Sequence, residues 1–297
     1  TGDMDRDTKV DLVVCLNYDS SENIVICYQK NNFSTISPQA KYLSNPQMQR
    51  EVLVQDLNED GWLDIIALYC KGEPDFPSGF AVYLSTTPNN YTHIPKSLPA
   101  EMYCPVMMTI GDLNGDGRRD LVIGDPTAKK VIGYRNDNVT GAAWTPIGPI
   151  NDVIVTALLL EQLVGDGREE LVMALAANPP LTTVPVIRVL RYSNSTTLID
   201  EFVDDIRDQP AVTGLASALN NGDGTLDLVR TSNLRHNITI FNTPAGAPIW
   251  RYADSISFPT PSDPSSVLSC DMNDDGRGDL VVLCGSSADH GTLNIYF

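Results

Sequence analysis

The sequence predicts an all-β protein assembled from six copies of one segment, and this prediction depends on three observations. First, a nine-residue motif rich in Asp and Gly recurs along the 297-residue chain, beginning near residues 3, 56, 112, 162, 219 and 271. Second, short runs rich in β-branched residues flank each copy, and they are too short for helices. Third, the chain has 21 Gly and 20 Pro, which is typical of a protein with many turns.

The motif carries Asp or Asn at positions 1, 3, 5 and 9 in its four strongest copies. These residues are Asp3, Asp5, Asp7 and Asp11; Asp56, Asn58, Asp60 and Asp64; Asp112, Asn114, Asp116 and Asp120; and Asp271, Asn273, Asp275 and Asp279. The other two copies are weaker. The fourth begins at Gln162 and has Val164 at position 3, and the fifth begins at Leu219 and offers Asn221, Asp223 and Asp227.

Each repeat contains at least three predicted strands. One apolar run precedes the motif, as in 52–54, and a second follows it, as in 121–124. The second run is apolar at successive residues, which indicates a strand covered on both faces. A third run ends near an aromatic residue in each repeat: Tyr28, Tyr83, Tyr134, Tyr192, Phe241 and Tyr296. The remaining length has room for a fourth strand, so the sequence predicts a β-propeller of four-stranded blades.

Six repeats are visible, and the propeller could have six or seven blades. The first motif has no strand before it, and the chain after the sixth motif has room for only two strands. Either the chain closes as six blades that share its ends, or a seventh blade lies outside the sequence. No linker breaks the period, so we expect a single domain over residues 1–297. We also expect a fragment of a longer precursor, because the chain begins inside a motif and shows no signal peptide.

The spaced acids predict calcium sites. Oxygen ligands at every second position converge on one point only if the chain curls, and Gly61, Gly117 and Gly276 at position 6 allow that curl. Oxygen donors without His or Cys favour Ca²⁺ over zinc or copper. An EF-hand requires Glu at position 12, where this chain has strand residues such as Ala67 and Ile123. We predict four structural sites and no tight ion in the fourth motif, and the fifth motif is either a weaker site or a metal-free turn.

Charge and composition exclude several functions. The chain has 38 Asp and Glu against 20 Lys and Arg, a formal net charge of −18, which disfavours nucleic acid and anionic membrane surfaces. The longest nearly unbroken apolar run, 153–160, is far shorter than the roughly 20 residues that cross a bilayer. No nucleophile elbow, phosphate loop or zinc pattern occurs, and the three histidines share no motif. We therefore expect no enzymatic activity.

Sequons and cysteines favour a secreted or cell-surface glycoprotein. The sequons lie at Asn32, Asn90, Asn138, Asn194 and Asn237. Six cysteines allow several disulfide pairings, and Cys15 and Cys27 flank a predicted hairpin turn, where a cross-strand bridge is geometrically possible. The alternative is six buried thiols in a reduced protein.

The motif and the strand that follows it resemble the FG-GAP repeat and the related VCBS-type repeat, found in the integrin α-subunit propeller and in many secreted proteins. The resemblance covers essentially the whole chain. The best copy, 112–126, ends Ile-Gly-Asp-Pro, similar to the Gly-Ala-Pro of the family but with Asp125 in place of Ala. The Phe-Gly half has no clear counterpart, which favours the VCBS-like branch.

This resemblance implies a bladed propeller with Ca²⁺ held between the first and second strands of a blade by the acidic positions given above. It also implies an extracellular module for protein interaction or adhesion, or a structural subunit of an extracellular assembly. The alternative function is glycan binding, because VCBS-like propellers include lectins. Trp62, Trp144 and Trp250 occupy different repeat positions, which argues against a repeated sugar site.

Overall fold

The structure is a computed structural model, and it describes residues 1–16, 22–29, 40–44, 48–70, 77–137, 143–163, 168–176, 186–192, 201–207, 211–219, 225–243, 255–273, 275–285 and 291–297. These residues form strands, turns and loops, and there is no helix among them. Within the same ranges, no helix is therefore long and apolar enough to cross a membrane.

The described residues contain twenty-two strands in six antiparallel sheets, and the strands of each of these sheets follow one another in chain order. Sheet one contains β1 (Leu12–Cys15), β2 (Glu22–Cys27) and β3 (Ala40–Ser44). Sheet two contains β4 (Met48–Gln55), β5 (Asp64–Cys70), β6 (Gly79–Thr87) and β7 (Asn90–Ser97). Sheet three contains β8 (Met107–Gly111), β9 (Asp120–Asp125), β10 (Lys130–Asn136) and β11 (Trp144–Asn151).

Sheets four to six continue the same order. Sheet four contains β12 (Val155–Glu161), β13 (Glu170–Leu175), β14 (Val186–Arg191) and β15 (Glu201–Arg207). Sheet five contains β16 (Val212–Ala218), β17 (Asp227–Ser232), β18 (Asn237–Phe241) and β19 (Ser255–Pro259). Sheet six contains β20 (Pro264–Cys270), β21 (Asp279–Cys284) and β22 (Thr292–Tyr296).

These six sheets confirm the predicted all-β fold of repeated blades. Four of them have the four predicted strands. Among the described residues, sheet one lacks a strand before its motif and sheet six lacks a fourth strand after β22, as the lengths of the first and last repeats predict. Sheets of four antiparallel strands in meander order are the units from which propellers are built.

In sheets two to six the motif lies between the first and second strands, where the resemblance placed it, and in sheet one it directly precedes β1. Its ninth residue pairs across the ladder with the residue that precedes the first. These pairs are Gly2 with Asp11, Gln55 with Asp64, Glu161 with Glu170, Ala218 with Asp227, and Cys270 with Asp279. The motif is therefore a hairpin loop whose two ends are held together by strand pairing.

Two compact units contain the apolar clusters. One consists of Thr1–Ile110 and Arg118–Pro146, and the other of Gly111–Gly117 and Ile147–Phe297. In the first unit, one cluster joins sheets one and two around Ile24 and Ile65, and another centres on Phe80 and Trp144. In the second unit, the clusters join sheet four to five and sheet five to six. Whether residues 1–297 behave as a single domain stays a prediction.

The second strands are the most buried elements. All residues of β5, β9, β13 and β17 are buried, which confirms that these successive apolar residues are covered on both faces. Sheet six departs from this pattern. In β21, Val282 is fully buried, but its neighbour Leu283 points to the opposite face and is 47% exposed. Leu293 of β22 shares that open face and is 65% exposed.

The cysteines are all reduced in the structure. The register excludes the bridge that the sequence left possible between Cys15 and Cys27. Cys27 pairs with Leu12 and Cys15 pairs with Ile24, so the two cysteines lie three positions apart along the ladder. Because side chains alternate between the faces of a strand, they also point to opposite faces of sheet one.

Candidate metal centres

The first motif brings three carboxylates together. Oxygen atoms of Asp3, Asp5 and Asp11 lie within 4.8 Å of one another. The backbone holds them there, because Asp3 accepts hydrogen bonds from the N–H groups of Asp7 (3.0 Å) and Thr8 (2.8 Å). The N–H of Asp7 is also 3.2 Å from Oδ1 of Asp5. A cluster of this kind has the charge and the oxygen donors that Ca²⁺ requires.

Burial and repulsion act on the ninth residue of this motif. Asp11 is 1% exposed, and burial raises its pKa, although hydrogen bonds from the backbone N–H groups of Gln29 and Met4 oppose the rise. The charges of Asp5 and Asp7 raise the pKa of Asp11 further. A bound divalent cation is the group that offsets such repulsion.

The second motif leaves one ligand atom without a hydrogen bond. Asp56 Oδ2 accepts the N–H of Gly61 at 2.8 Å, whereas Asp56 Oδ1 is buried and has no hydrogen-bond partner. Buried carboxylate oxygens are normally satisfied, so an orphaned one at position 1 fits an oxygen that binds a cation. Asn58 Oδ1 accepts the N–H of Asp60 at 3.2 Å. Burial, reinforced by the charges of Asp60 and Asp56, raises the pKa of Asp64 to about 7.

Positive φ angles produce the curl of the second motif. Glu59 has φ 58° and Gly61 has φ 81°, both in the left-handed region. Glycine adopts this conformation without steric cost, and Gly117 and Gly276 at the same motif position have φ 85° and 82°. The predicted role of glycine at position 6 is confirmed.

The third and sixth motifs repeat the same bonds. Asp112 Oδ2 accepts the N–H of Gly117 at 2.8 Å, and Asp271 Oδ2 accepts the N–H of Gly276 at 2.8 Å. The position-3 amides, Asn114 and Asn273, accept the N–H of the position-5 aspartates, Asp116 (2.9 Å) and Asp275 (3.0 Å). The repeated geometry means that one loop conformation recurs wherever the residues at positions 1, 3, 5 and 6 are kept.

The ninth residue has a role in the fold that the sequence did not reveal. In the second motif, one carboxylate oxygen of position 9 accepts the N–H of position 2, and the other accepts an N–H of the third strand. These donors are Leu57 (2.9 Å) and Ser85 (2.7 Å), both bonded to Asp64. Asp120 likewise accepts the N–H of Asn136 at 2.9 Å. Position 9 therefore ties the loop to the third strand of its own sheet.

The weaker motifs keep this tie. In the fifth, Asp227 Oδ1 accepts the N–H of Thr243 at 2.8 Å, while Asn221 and Asp223 lie outside the described residues. In the fourth, Glu170 is fully buried, and the Arg191 guanidinium donates to its Oε1 at 2.9 and 3.1 Å. Arg191 thus supplies positive charge at the motif where no tight ion is predicted. Val164 is outside the described residues, and the absence of an ion there stays a prediction.

Arg6 joins the first two motifs, which sequence reasoning missed. It occupies position 4 of the first motif, and its guanidinium donates to the carbonyl oxygens of Gly61 (3.1 Å) and Asp60 (3.2 Å). The same guanidinium lies 3.9 Å from the centroid of the Trp62 ring. No pattern within one repeat could predict this contact, because the partners are 54 and 55 residues apart.

Two sequons fall within the described residues. Asn90 is exposed at the tip of the β6–β7 hairpin, next to Asn89 with φ 66°. Asn237 lies in β18, between β17 and β19, and its Oδ1 accepts from Arg230 at 3.1 Å. Asn90 is therefore the accessible site of the pair. Asn32, Asn138 and Asn194 lie outside the described residues.

The comparisons with known proteins find two family matches. An FG-GAP repeat matches residues 108–145, and an FG-GAP-like repeat matches residues 221–282. The first match contains the whole third motif, and the second contains the whole sixth. A search of curated proteins finds no match.

Proposed function

We propose that this protein is a calcium-stabilised extracellular propeller. The proposal starts from the two FG-GAP repeat matches, because such repeats form a β-propeller-like module often involved in adhesion and protein interaction. We propose that the propeller functions by binding a protein partner, either in adhesion or as a structural subunit of an extracellular assembly. The observation that carries this proposal is the convergence of Asp3, Asp5 and Asp11 in a loop conformation that other motifs repeat.

Calcium is the cation that the donor set favours. Every candidate ligand side chain offers a carboxylate or amide oxygen, and hard oxygen donors in a flexible loop suit Ca²⁺. The Oδ1 atom of Asp56, which is buried and has no hydrogen-bond partner, is an acceptor that a cation would satisfy. The ion would stabilise the hairpin loop between the first two strands of a blade, and no reaction is assigned to it.

The repeats and the sequence both support the proposed extracellular location. FG-GAP repeats occur in extracellular domains, and the exposed Asn90 sequon suits a secretory route. Loops of this kind in extracellular modules bind calcium with dissociation constants of roughly 10⁻⁴ to 10⁻³ M. Such weak sites are filled outside the cell and would be largely empty at cytosolic calcium concentrations.

Thermal unfolding with and without calcium tests the proposal. A site with a dissociation constant of about 10⁻⁴ M in 10 mM Ca²⁺ adds about 2.7 kcal/mol to the free energy of unfolding. Several such sites raise the melting temperature by many degrees relative to protein in excess chelator. An unchanged melting temperature would refute the calcium proposal.

A matched pair of variants locates the effect. Asp56→Asn removes the charge at position 1 of the second motif, whereas Glu59→Gln removes one charge at exposed position 4 of the same loop. We expect calorimetric titration to show weaker calcium binding in Asp56→Asn and nearly unchanged binding in Glu59→Gln. An equal loss of calcium affinity in both variants would mean that calcium binding depends only on the net charge of the loop.

Cross-linking on cells tests the protein-binding part. Calcium-loaded protein is expected to cross-link to a defined cell-surface or matrix protein, and chelation should abolish this capture. If the calcium-free protein captures the same partner, partner binding does not depend on the calcium-stabilised fold. The Arg277–Asp279 segment, an Arg-Gly-Asp tripeptide, is not proposed as the adhesive site, because Asp279 is 2% exposed.

Glycan binding is a second candidate, favoured by one groove. A groove of about 460 Å³ lies between sheets five and six, lined by Phe258, Tyr296 and Phe297 and bordered by Asp275 of the sixth motif. Aromatic faces beside a carboxylate can hold the apolar and hydroxyl faces of a sugar. A glycan array would show binding that Phe258→Ala removes, and an array with no binding eliminates this candidate.

A further inference from the structure

Two cysteines far apart in sequence meet beside an arginine. The Cys104 thiol lies 3.1 Å from the sulfur of Cys70, and 34 residues separate the two along the chain. The Arg50 guanidinium is 3.2 Å from Cys70 Sγ and 3.7 Å from Cys104 Sγ.

The pair connects two sheets. Cys70 is the last residue of β5 in sheet two. Cys104 belongs to the segment between β7 and β8, and its N–H donates to Asp125 at the end of β9 in sheet three (2.7 Å). The same segment is held to sheet two, because Ser78 Oγ donates to the carbonyl of Tyr103 at 2.8 Å. The two sulfurs therefore meet where the backbone on both sides is already fixed.

We propose that Cys70 and Cys104 are a site of covalent modification, a dithiol that low-molecular-weight disulfides oxidise to a cross-link between β5 and the segment that connects sheets two and three. Cys104 is half-buried and Cys70 is 3% exposed, so Cys104 is the thiol that meets the oxidant. Extracellular compartments supply such oxidants, which agrees with the location proposed above.

The chemistry balances in two exchanges. The Cys104 thiolate attacks one sulfur of glutathione disulfide, forming a mixed disulfide and releasing one glutathione thiolate. The Cys70 thiolate then attacks the Cys104 sulfur, forming the Cys70–Cys104 bond and releasing the second glutathione. Two protein thiols are oxidised to one disulfide, one glutathione disulfide is reduced to two glutathione thiols, and the two protons of the protein thiols end on the two released glutathione sulfurs.

Arg50 assists this exchange as a positioning residue. Burial is the main cause that raises the pKa of the Cys104 thiol, and the neighbouring Cys70 raises it further. The positive charge of Arg50 opposes that rise. A guanidinium within hydrogen-bond distance of sulfur favours the thiolate, which is the reactive form. Arg50 also contacts both sulfurs, which keeps them close together. This closeness favours attack by Cys70 over reduction of the mixed disulfide by free glutathione.

Peptide mapping of the full chain tests the proposal. After equilibration with glutathione disulfide, we expect a cross-linked peptide containing Cys70 and Cys104, and a melting temperature several degrees above that of the reduced protein. Two thiols that remain open to alkylation after this treatment, or a cross-link to another cysteine, would overturn the proposal. The wild-type measurement stands even if a variant fails to fold.

Variants separate the roles. Cys104→Ser should abolish the cross-link, whereas Cys270→Ser, at an exposed cysteine of sheet six, should leave it intact. Arg50→Met should slow its formation about three- to tenfold at pH 7, with the loss recovered at higher pH, where thiolate forms without assistance. An unchanged rate, or a slower rate that does not recover with pH, would remove Arg50 from the mechanism.

Discussion

A half-buried glutamate in β4 makes the stability of the protein depend on pH. Glu51 is half-buried, and its Oε2 accepts the N–H of Met108 at 2.6 Å. Burial raises the pKa of Glu51 to about 7, and the hydrogen bond from Met108 only partly opposes that rise. The group therefore keeps its proton in the folded protein at pH values where the unfolded chain has lost it.

The sign and size of the effect follow from these values. The pKa rises from 4.5 to about 7 on folding, so the folded state binds more protons between those pH values. The free energy of unfolding then falls as the pH rises through this window, by about 3 kcal/mol at 1.36 kcal/mol per pKa unit. Glu51→Gln stays neutral at every pH and loses this dependence. We expect it to be as stable as wild type near pH 4 and more stable above pH 7.

Urea unfolding of both proteins from pH 4 to pH 8 measures the difference. At each pH, the free energy of unfolding of wild type is subtracted from that of the variant. The subtraction cancels the contribution of the other carboxylates, because both proteins share them. Glu101→Gln is the matched control, because the Glu101 side chain is 55% exposed near Lys130 and its removal should leave the pH dependence unchanged. If Glu51→Gln and wild type lose stability in parallel as the pH rises, the reasoning is refuted.

Two further predictions concern the fourth motif and the sequons. Arg191→Met removes the guanidinium from the fully buried carboxylate of Glu170 and should lower the free energy of unfolding by about 3 kcal/mol or more. The double variant Glu170→Gln/Arg191→Met should recover part of that loss in the same urea titration. In protein secreted from eukaryotic cells, Asn90 should carry a glycan and Asn237 should not, as measured by mass spectrometry of deglycosylated peptides.

Each of these has a contradicting outcome. A double variant as unstable as Arg191→Met alone would mean that lost packing of the arginine, rather than the buried charge, sets its cost. A glycan on Asn237 would mean that β18 is modified before it pairs with β17 and β19.

The loop chemistry could be predicted from the sequence because it is local. The position-1 carboxylate bonds N–H groups three to five residues ahead, as in the pair Asp112 and Gly117, and the glycine supplies the positive φ. Spacing alone places these groups together. The bridge that the sequence left possible between Cys15 and Cys27 is excluded for the complementary reason. Closeness in sequence did not fix the register that puts the two sulfurs on opposite faces of sheet one.

The sequence by itself determined the repeat, the strands, the hairpin position of each motif and the oxygen donors, since all of these depend on period and on residue types within one repeat. The tertiary structure decided which groups from different repeats meet. Arg6 reaches the second motif, Glu51 meets Met108, and Cys70 meets Cys104, across 34 to 57 residues of chain. These contacts depend on how one sheet packs on the next, which no single repeat encodes.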